Sequence, residues 1–288
     1  DCKAVNYISL AKKEIKMKTL KTFFTMIILL TVNLSAQDKI NITETNLYNS
    51  KTIQFHSTIV NDDYQLLVSL PDSYDESEKK YPVIFVLDGD VAFGMATSIA
   101  RYLQVGNSIP ELIVVGIGYG SLSKDEGNKR ARDYSPAKSG GAESFYNFMR
   151  SELFSFIDSV YRTMPDDRTI SGYSLGATFA LYALFTDPDT FRRYIVGSPH
   201  LSAGNFAIYN YEESASEKFS EINANVFISV GSEESEQKYF DPIDEIVTKI
   251  QSRNYTGLKL ETKVFDGGTH LICPPETITY GLVSVFSK

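Results

Sequence analysis

Gly172-Tyr173-Ser174-Leu175-Gly176 sets one serine between two glycines, after a short strand-like run and ahead of an apolar, Ala/Leu-rich stretch. A strand that turns straight into a helix exposes the turn residue at the carboxyl edge of a sheet. The turn is so tight that its flanks must be small: Gly172 is expected against a neighbouring strand, and Gly176-Ala177 let the helix approach. Ser174 in that position is a nucleophile. The competing reading is a glycine-rich turn whose serine only caps the helix. The strand before it and the helix after it favour the nucleophile.

A serine hydroxyl is a poor nucleophile at neutral pH and needs a base within hydrogen-bond reach. The chain has 3 histidines. His56 lies in a front strand and reads as structural. His200 follows Gly197-Ser198-Pro199 at a strand end, where it is expected to line a substrate pocket. His270, in Asp266-Gly267-Gly268-Thr269-His270, falls after the last strand and before the last helix. It alone meets the chain order serine, acid, histidine that a strand–Ser–helix nucleophile calls for.

The acid is expected after the strand at 226–230, in Gly231-Ser232-Glu233-Glu234-Ser235-Glu236, to orient the imidazole and stabilise its protonated form. Glu234 is the first choice and Glu233 the alternative. Asp241, just before Pro242, is explained by capping the helix that follows. Two backbone donors must face the developing oxyanion. One is the N–H of Leu175. The other belongs to the loop after the strand at 83–87, on Asp90 or Gly89. Arg130 and Arg132, in the long loop 121–141, are further pocket candidates: they either hold an anionic substrate or, for Arg132 with Asp133, pin the loop.

These residues need a scaffold, and the pattern supplies one. Strands are expected at 52–59 and 64–70 about an Asn61-Asp62-Asp63 turn, then at 83–87, 112–117, 168–171, 194–197, 226–230 and 258–265. Helical spacing falls between them. In the helix expected at 142–161, Glu152 is the one polar member of an apolar stripe. Alternation of this kind makes an α/β fold: a mostly parallel sheet with antiparallel strands at its amino-terminal edge and helices on both faces.

The amino end stands apart. Residues 1–16 read as an upstream extension. Met17-Lys18-Thr19-Leu20-Lys21, the apolar run 23–32 and Leu34-Ser35-Ala36 read as a secretory signal peptide cut after Ala36, too short to span a bilayer. That leaves 37–288 as a single domain, periplasmic or secreted. Without residues 1–36 the formal net charge moves from −8 to −12, a poor match for nucleic acid or an anionic membrane. Of 2 cysteines only Cys273 remains, so no internal disulfide forms, and the thiol is expected to be buried and inert. No cofactor or metal is expected.

The segments "YPVIFVLDGD", "LIVVGIGY", "RARDYSP", "SGGAESFYNFMRSELFSFID", "GYSLGATFALYALFTDPDTFRRYIVGSP" and "GGTH" together resemble the esterase D-like branch of the α/β-hydrolases. Within it the chain is similar to periplasmic siderophore esterases of the enterochelin and salmochelin type and to feruloyl and acetyl esterases. The resemblance runs from about His56 to Phe286. It implies an α/β-hydrolase fold, Ser174 with His270 as the catalytic pair, and a small-molecule ester as substrate. Some siderophore esterases of this group work with a Ser–His dyad. The chain departs from the group in having Ser198-Pro199-His200-Leu201-Ser202-Ala203 where tryptophans are common, and 0 tryptophans overall. The leading expectation is an exported serine esterase acting through an acyl-enzyme on a siderophore trilactone, a hydroxycinnamoyl ester or an acyl-sugar. An acyltransferase with an alcohol acceptor and a non-catalytic binding protein are the alternatives.

Overall fold

The computed structural model describes residues 12–22, 47 and 49–287. The chain divides into two units, Asp1–Asn46 and Leu47–Lys288. In the first, residues 12–22 are helical and exposed. The apolar run and the cleavage point of the expected signal peptide lie outside the described residues. No helix among the described residues is long and apolar enough to cross a membrane.

The second unit is built on an eight-stranded sheet in the order β1-β2-β4-β3-β5-β6-β7-β8. β1 (Ser50–Ser57) and β2 (Asp62–Ser69) form the expected hairpin, with Phe55 opposite Tyr64 and Asn61 at φ 54° in the turn. β2 runs antiparallel to both its neighbours. β3 (Tyr81–Val86), β4 (Ile113–Gly118), β5 (Thr163–Tyr173), β6 (Arg193–Gly197), β7 (Asn225–Gly231) and β8 (Lys259–Phe265) are parallel. β3 and β4 are buried along their whole length. This is why they read as continuous apolar runs rather than as alternating ones. β5 starts five residues earlier than its apolar pattern suggests, because its first half is polar and exposed in part.

Successive residues of a strand face opposite sides, and two helical layers take them up. Ile84 and Val86 of β3 pack with Phe93, Ala96 and Ala100 of α1 (Gly89–Val105). Ile278, Leu282 and Val285 of α6 (Pro274–Phe286) complete that layer. Val83 and Phe85 face α2, a continuous helix of turns Ala142–Phe148 and Phe154–Val160 joined by a π-helical turn at Met149–Leu153. α3 (Leu175–Thr186) lies on the same side, with α4 (Ile208–Lys218) and α5 (Asp241–Arg253) beyond it.

Glu152, the polar member of the α2 stripe, accepts hydrogen bonds from Ser57 Oγ at 2.6 Å and the Thr58 N–H at 3.0 Å. It therefore ties the helix to the end of β1. Asp241 corrects an expectation: it is exposed and forms no capping hydrogen bond. The π-helical turns Glu236–Phe240 run directly into α5, so the helix has no free amino end at Asp241 for a side chain to cap.

Candidate active site

β5 ends at Tyr173 and α3 begins at Leu175, so Ser174 alone makes the turn. Its backbone sits at φ 56° and ψ −118°, a conformation costly for a non-glycine residue. Three backbone hydrogen bonds hold it there. The Ser174 N–H donates to Gly197 O at 2.9 Å, and Ser174 O accepts from the N–H groups of Thr178 and His200, each at 3.1 Å. A Cβ on Gly172 would stand 2.3 Å from Gly176 O and 2.7 Å from Ala177 N. Gly172 is thus small because it faces the first turn of α3. The neighbouring strand, where it was expected to pack, is not what limits it.

Ser174 and His270 open onto one cavity of about 560 Å3 between α1 and α6. His270 lies beyond β8 and is held on three sides. Its ring stacks on Tyr239, with centroids 4.5 Å apart and planes at 28°, and tilts against Tyr173 at 5.0 Å. Its Nδ1 lies 2.6 Å from Glu234 Oε2. The Glu234 side chain is 0% exposed, and its other oxygen accepts from Ser198 Oγ at 2.5 Å and the Gly231 N–H at 2.9 Å. Burial pushes this carboxyl up, but hydrogen bonds from His270, Ser198 and the Gly231 N–H outweigh it and hold the pKa below the usual carboxylate range. An ionised Glu234 only accepts, so Nδ1 of His270 carries the proton. In the tautomer with that proton on Nδ1, Nε2 is the acceptor, and Tyr239 OH faces it at 3.4 Å. Ser174 Oγ forms no hydrogen bond among the described residues.

Glu233, the alternative acid, is exposed; its N–H donates to Gly268 O at 2.8 Å. Of the two carboxylates, Glu234 is the one that meets His270. Leu175 and Gly89 each open a helix, so their N–H groups have no intrahelical carbonyl to meet. Asp90, in the first turn of α1, directs its carboxylate to the N–H groups of Tyr119 and Gly120, both at 2.8 Å, and so fixes the exit of β4.

Arg130 lines the cavity and is bidentate to Asp88, with Nε to Oδ1 at 2.6 Å and Nη2 to Oδ2 at 3.1 Å. Arg132 is held elsewhere. It meets Asp133 at 2.6 and 3.2 Å and Asp62 at 2.7 Å, while Tyr64 and Tyr119 donate to the same Asp133. That cluster pins the loop to β2. His200 does not line the cavity. Burial first, then the positive charges of Lys238 and Arg130, lowers its pKa, so it stays neutral at pH 7.

Ser198, Tyr173 and Tyr239 escape sequence reasoning. Tyr173 OH lies 2.9 Å from Ser198 Oγ, so the residue beside the serine reaches Glu234 through one hydroxyl. The available signal is Ser198 at a strand end before Pro199, where it sits buried at φ 40°.

Comparison with known proteins agrees with this architecture. The family model described as "Putative esterase" matches residues 57–270. The ferri-bacillibactin esterase BesA of Bacillus subtilis is 28% identical over 243 residues, covering 76% of this chain and 83% of that protein. A siderophore enterobactin esterase of Emericella nidulans is 28% identical over 198 residues, 59% of this chain and 65% of that one. The crystal structure of a BES protein from Bacillus cereus superposes with a TM-score of 0.76 at 25% identity, covering 88% of this chain and 100% of that one. The sheet order, the helical layers and these matches together establish that the chain belongs to the Esterase family and is a carboxylic ester hydrolase with the α/β-hydrolase fold.

Proposed function

We propose that the protein is an exported serine esterase that passes through an acyl-enzyme on Ser174. The observation that carries this is the shared cavity: a serine on a strained strand-to-helix turn and a histidine anchored by a buried carboxylate both open onto it. Ser174 Oγ attacks the ester carbonyl carbon and its proton passes to His270 Nε2. Glu234 keeps the ring in the tautomer that can receive it and stabilises the imidazolium. The tetrahedral oxyanion lies against the N–H of Leu175 and that of Gly89 or Asp90. Collapse breaks the bond to the alcohol, which leaves with the proton from His270. Water then repeats the sequence on the acyl-enzyme and restores Ser174. In unliganded hydrolases the serine–histidine bond is often long and tightens once substrate is bound. Tyr239 OH occupies the approach to Nε2 until then.

The relatives named for siderophore esters support a substrate that is a carboxylic ester of a siderophore or another acylated small molecule. Export rests on the basic start, apolar run and small-residue site ahead of Gln37. Ser174→Ala is expected to abolish hydrolysis of p-nitrophenyl acetate while the far-UV spectrum is unchanged. A fluorophosphonate probe should add its mass to the Ser174 peptide of the wild type alone. Retained turnover in the variant would place the nucleophile elsewhere.

A further inference from the structure

The cavity beside Ser174 carries a statement about which half of the ester it receives. Its floor is the sheet, at Val86 and Ser171, which are adjacent in register on β3 and β5 and almost fully buried. Its walls are aliphatic: Val91, Ala92 and Met95 from α1, Ile278 from α6, and Leu122 from the long loop. The apolar surface continues past the mouth, where Val91 is 62%, Leu122 67% and Leu271 88% exposed.

The polar side chains of the lining are already engaged. Asp88 is closed by Arg130, and Asp90 by two backbone N–H groups. Asn128 donates to Ser121 O and accepts from the Arg130 N–H. Thr277 pairs with Ser229, and Tyr173 with Ser198. Among the described residues, Ser174 and Ser171 Oγ form no side-chain hydrogen bond, His270 Nε2 has only the long contact to Tyr239 OH at 3.4 Å, and Nη1 of Arg130 is the one guanidinium nitrogen not directed at Asp88. The charged side chains of the lining are Arg130, Asp88 and Asp90, so the wall carries no excess positive charge for an anion.

The geometry points to an uncharged aliphatic acyl group as the occupant of this cavity, in preference to a hydroxyaromatic acid or an anionic metal catecholate. The inference rests on Ser174 as the nucleophile. The alcohol must leave after the first step, whereas the acyl group stays for both. A cavity closed at its floor by the sheet suits the group that stays. A planar phenolic acyl group would bring hydroxyls against Val91, Ala92, Met95 and Ile278, where the wall has no polar partner, leaving polar groups unpaired. An aliphatic chain only exchanges water for methylenes and methyls.

The test holds the leaving group constant: kcat/KM for the p-nitrophenyl esters of acetate, hexanoate and ferulate, measured on the mature wild-type protein. Each methylene well fitted to an apolar pocket is worth a factor of several, so hexanoate is expected to exceed acetate about tenfold or more. Hexanoate is also expected to exceed ferulate. Ala92→Phe, which fills the wall, should lower the hexanoate-to-acetate ratio about tenfold. Equal values for acetate and hexanoate, a faster ferulate ester, or an Ala92→Phe variant that leaves the ratio unchanged would overturn the assignment. Loss of all three activities in Ser174→Ala reports on the nucleophile alone. Failure of that reading is therefore distinct from failure of the acyl preference.

Discussion

His270 Nδ1 and Glu234 Oε2 lie 2.6 Å apart, with the carboxylate fully buried and the imidazole partly open to the cavity. One buried anion therefore sets the tautomer of the one histidine that shares a cavity with Ser174. Glu234→Gln would leave the ring without that anion, and kcat is expected to fall by about two to four orders of magnitude. Glu233→Gln, altering an exposed side chain, should change kcat less than about twofold. Steady-state kinetics on the two variants decides between the carboxylates.

The same carboxylate makes stability depend on acid. Its folded-state pKa is depressed, so the stability it contributes is present at neutral pH and is lost as the pH falls through the folded value. The loss begins near the ordinary carboxylate value of ~4.3, where the unfolded chain starts to bind a proton that the folded chain still refuses. Below that pH, Tm of the wild type should fall more steeply than Tm of Glu234→Gln. Parallel curves would show that Glu234 is not the group concerned.

Ser198→Ala removes the hydroxyl that donates to Glu234 Oε1 at 2.5 Å. A hydrogen bond to an ionised group is worth ~1.5–3 kcal/mol. Stability is expected to drop by about that amount. Because Glu234 loses a donor that favours its charged form, the acid limb of the pH–rate profile should also move to higher pH. A purely structural role would lower Tm and leave that limb in place.

Gly172→Ala places a methyl within 2.3 Å of Gly176 O, a backbone atom that cannot turn aside. The elbow must open, at a cost of about 1–3 kcal/mol. Ser174 would move with it, so Tm and kcat are expected to fall together. Thermal melts alongside kcat at saturating substrate test this.

Cys273 is 0% exposed, and its thiol is pushed up to about 11 by burial, then by the charges of Glu234 and Glu276. The thiolate is the reactive form. Iodoacetamide at pH 8 should leave the Cys273 peptide unlabelled in the folded protein and label it fully in guanidinium, as read by mass spectrometry. Rapid labelling of the folded protein would show that the thiol is open.

The sequence by itself determined the layered sheet, the turn at Ser174 and the loop that carries His270. Each of these follows from local patterns: buried parallel strands read as apolar runs, and a strand–Gly-x-Ser-x-Gly–helix passage needs small residues at fixed offsets. It also ranked Glu234 ahead of Glu233, but two adjacent carboxylates on one loop differ only in which way they face. Direction of that kind is set by contacts 36 residues away, with Ser198 and His270. The tertiary structure alone brought Tyr173 and Tyr239 to the histidine and Ser198 to Glu234, and separated Arg130 on the cavity wall from Arg132 on Asp133. These are properties of packing between elements distant in the chain, and no local periodicity encodes them.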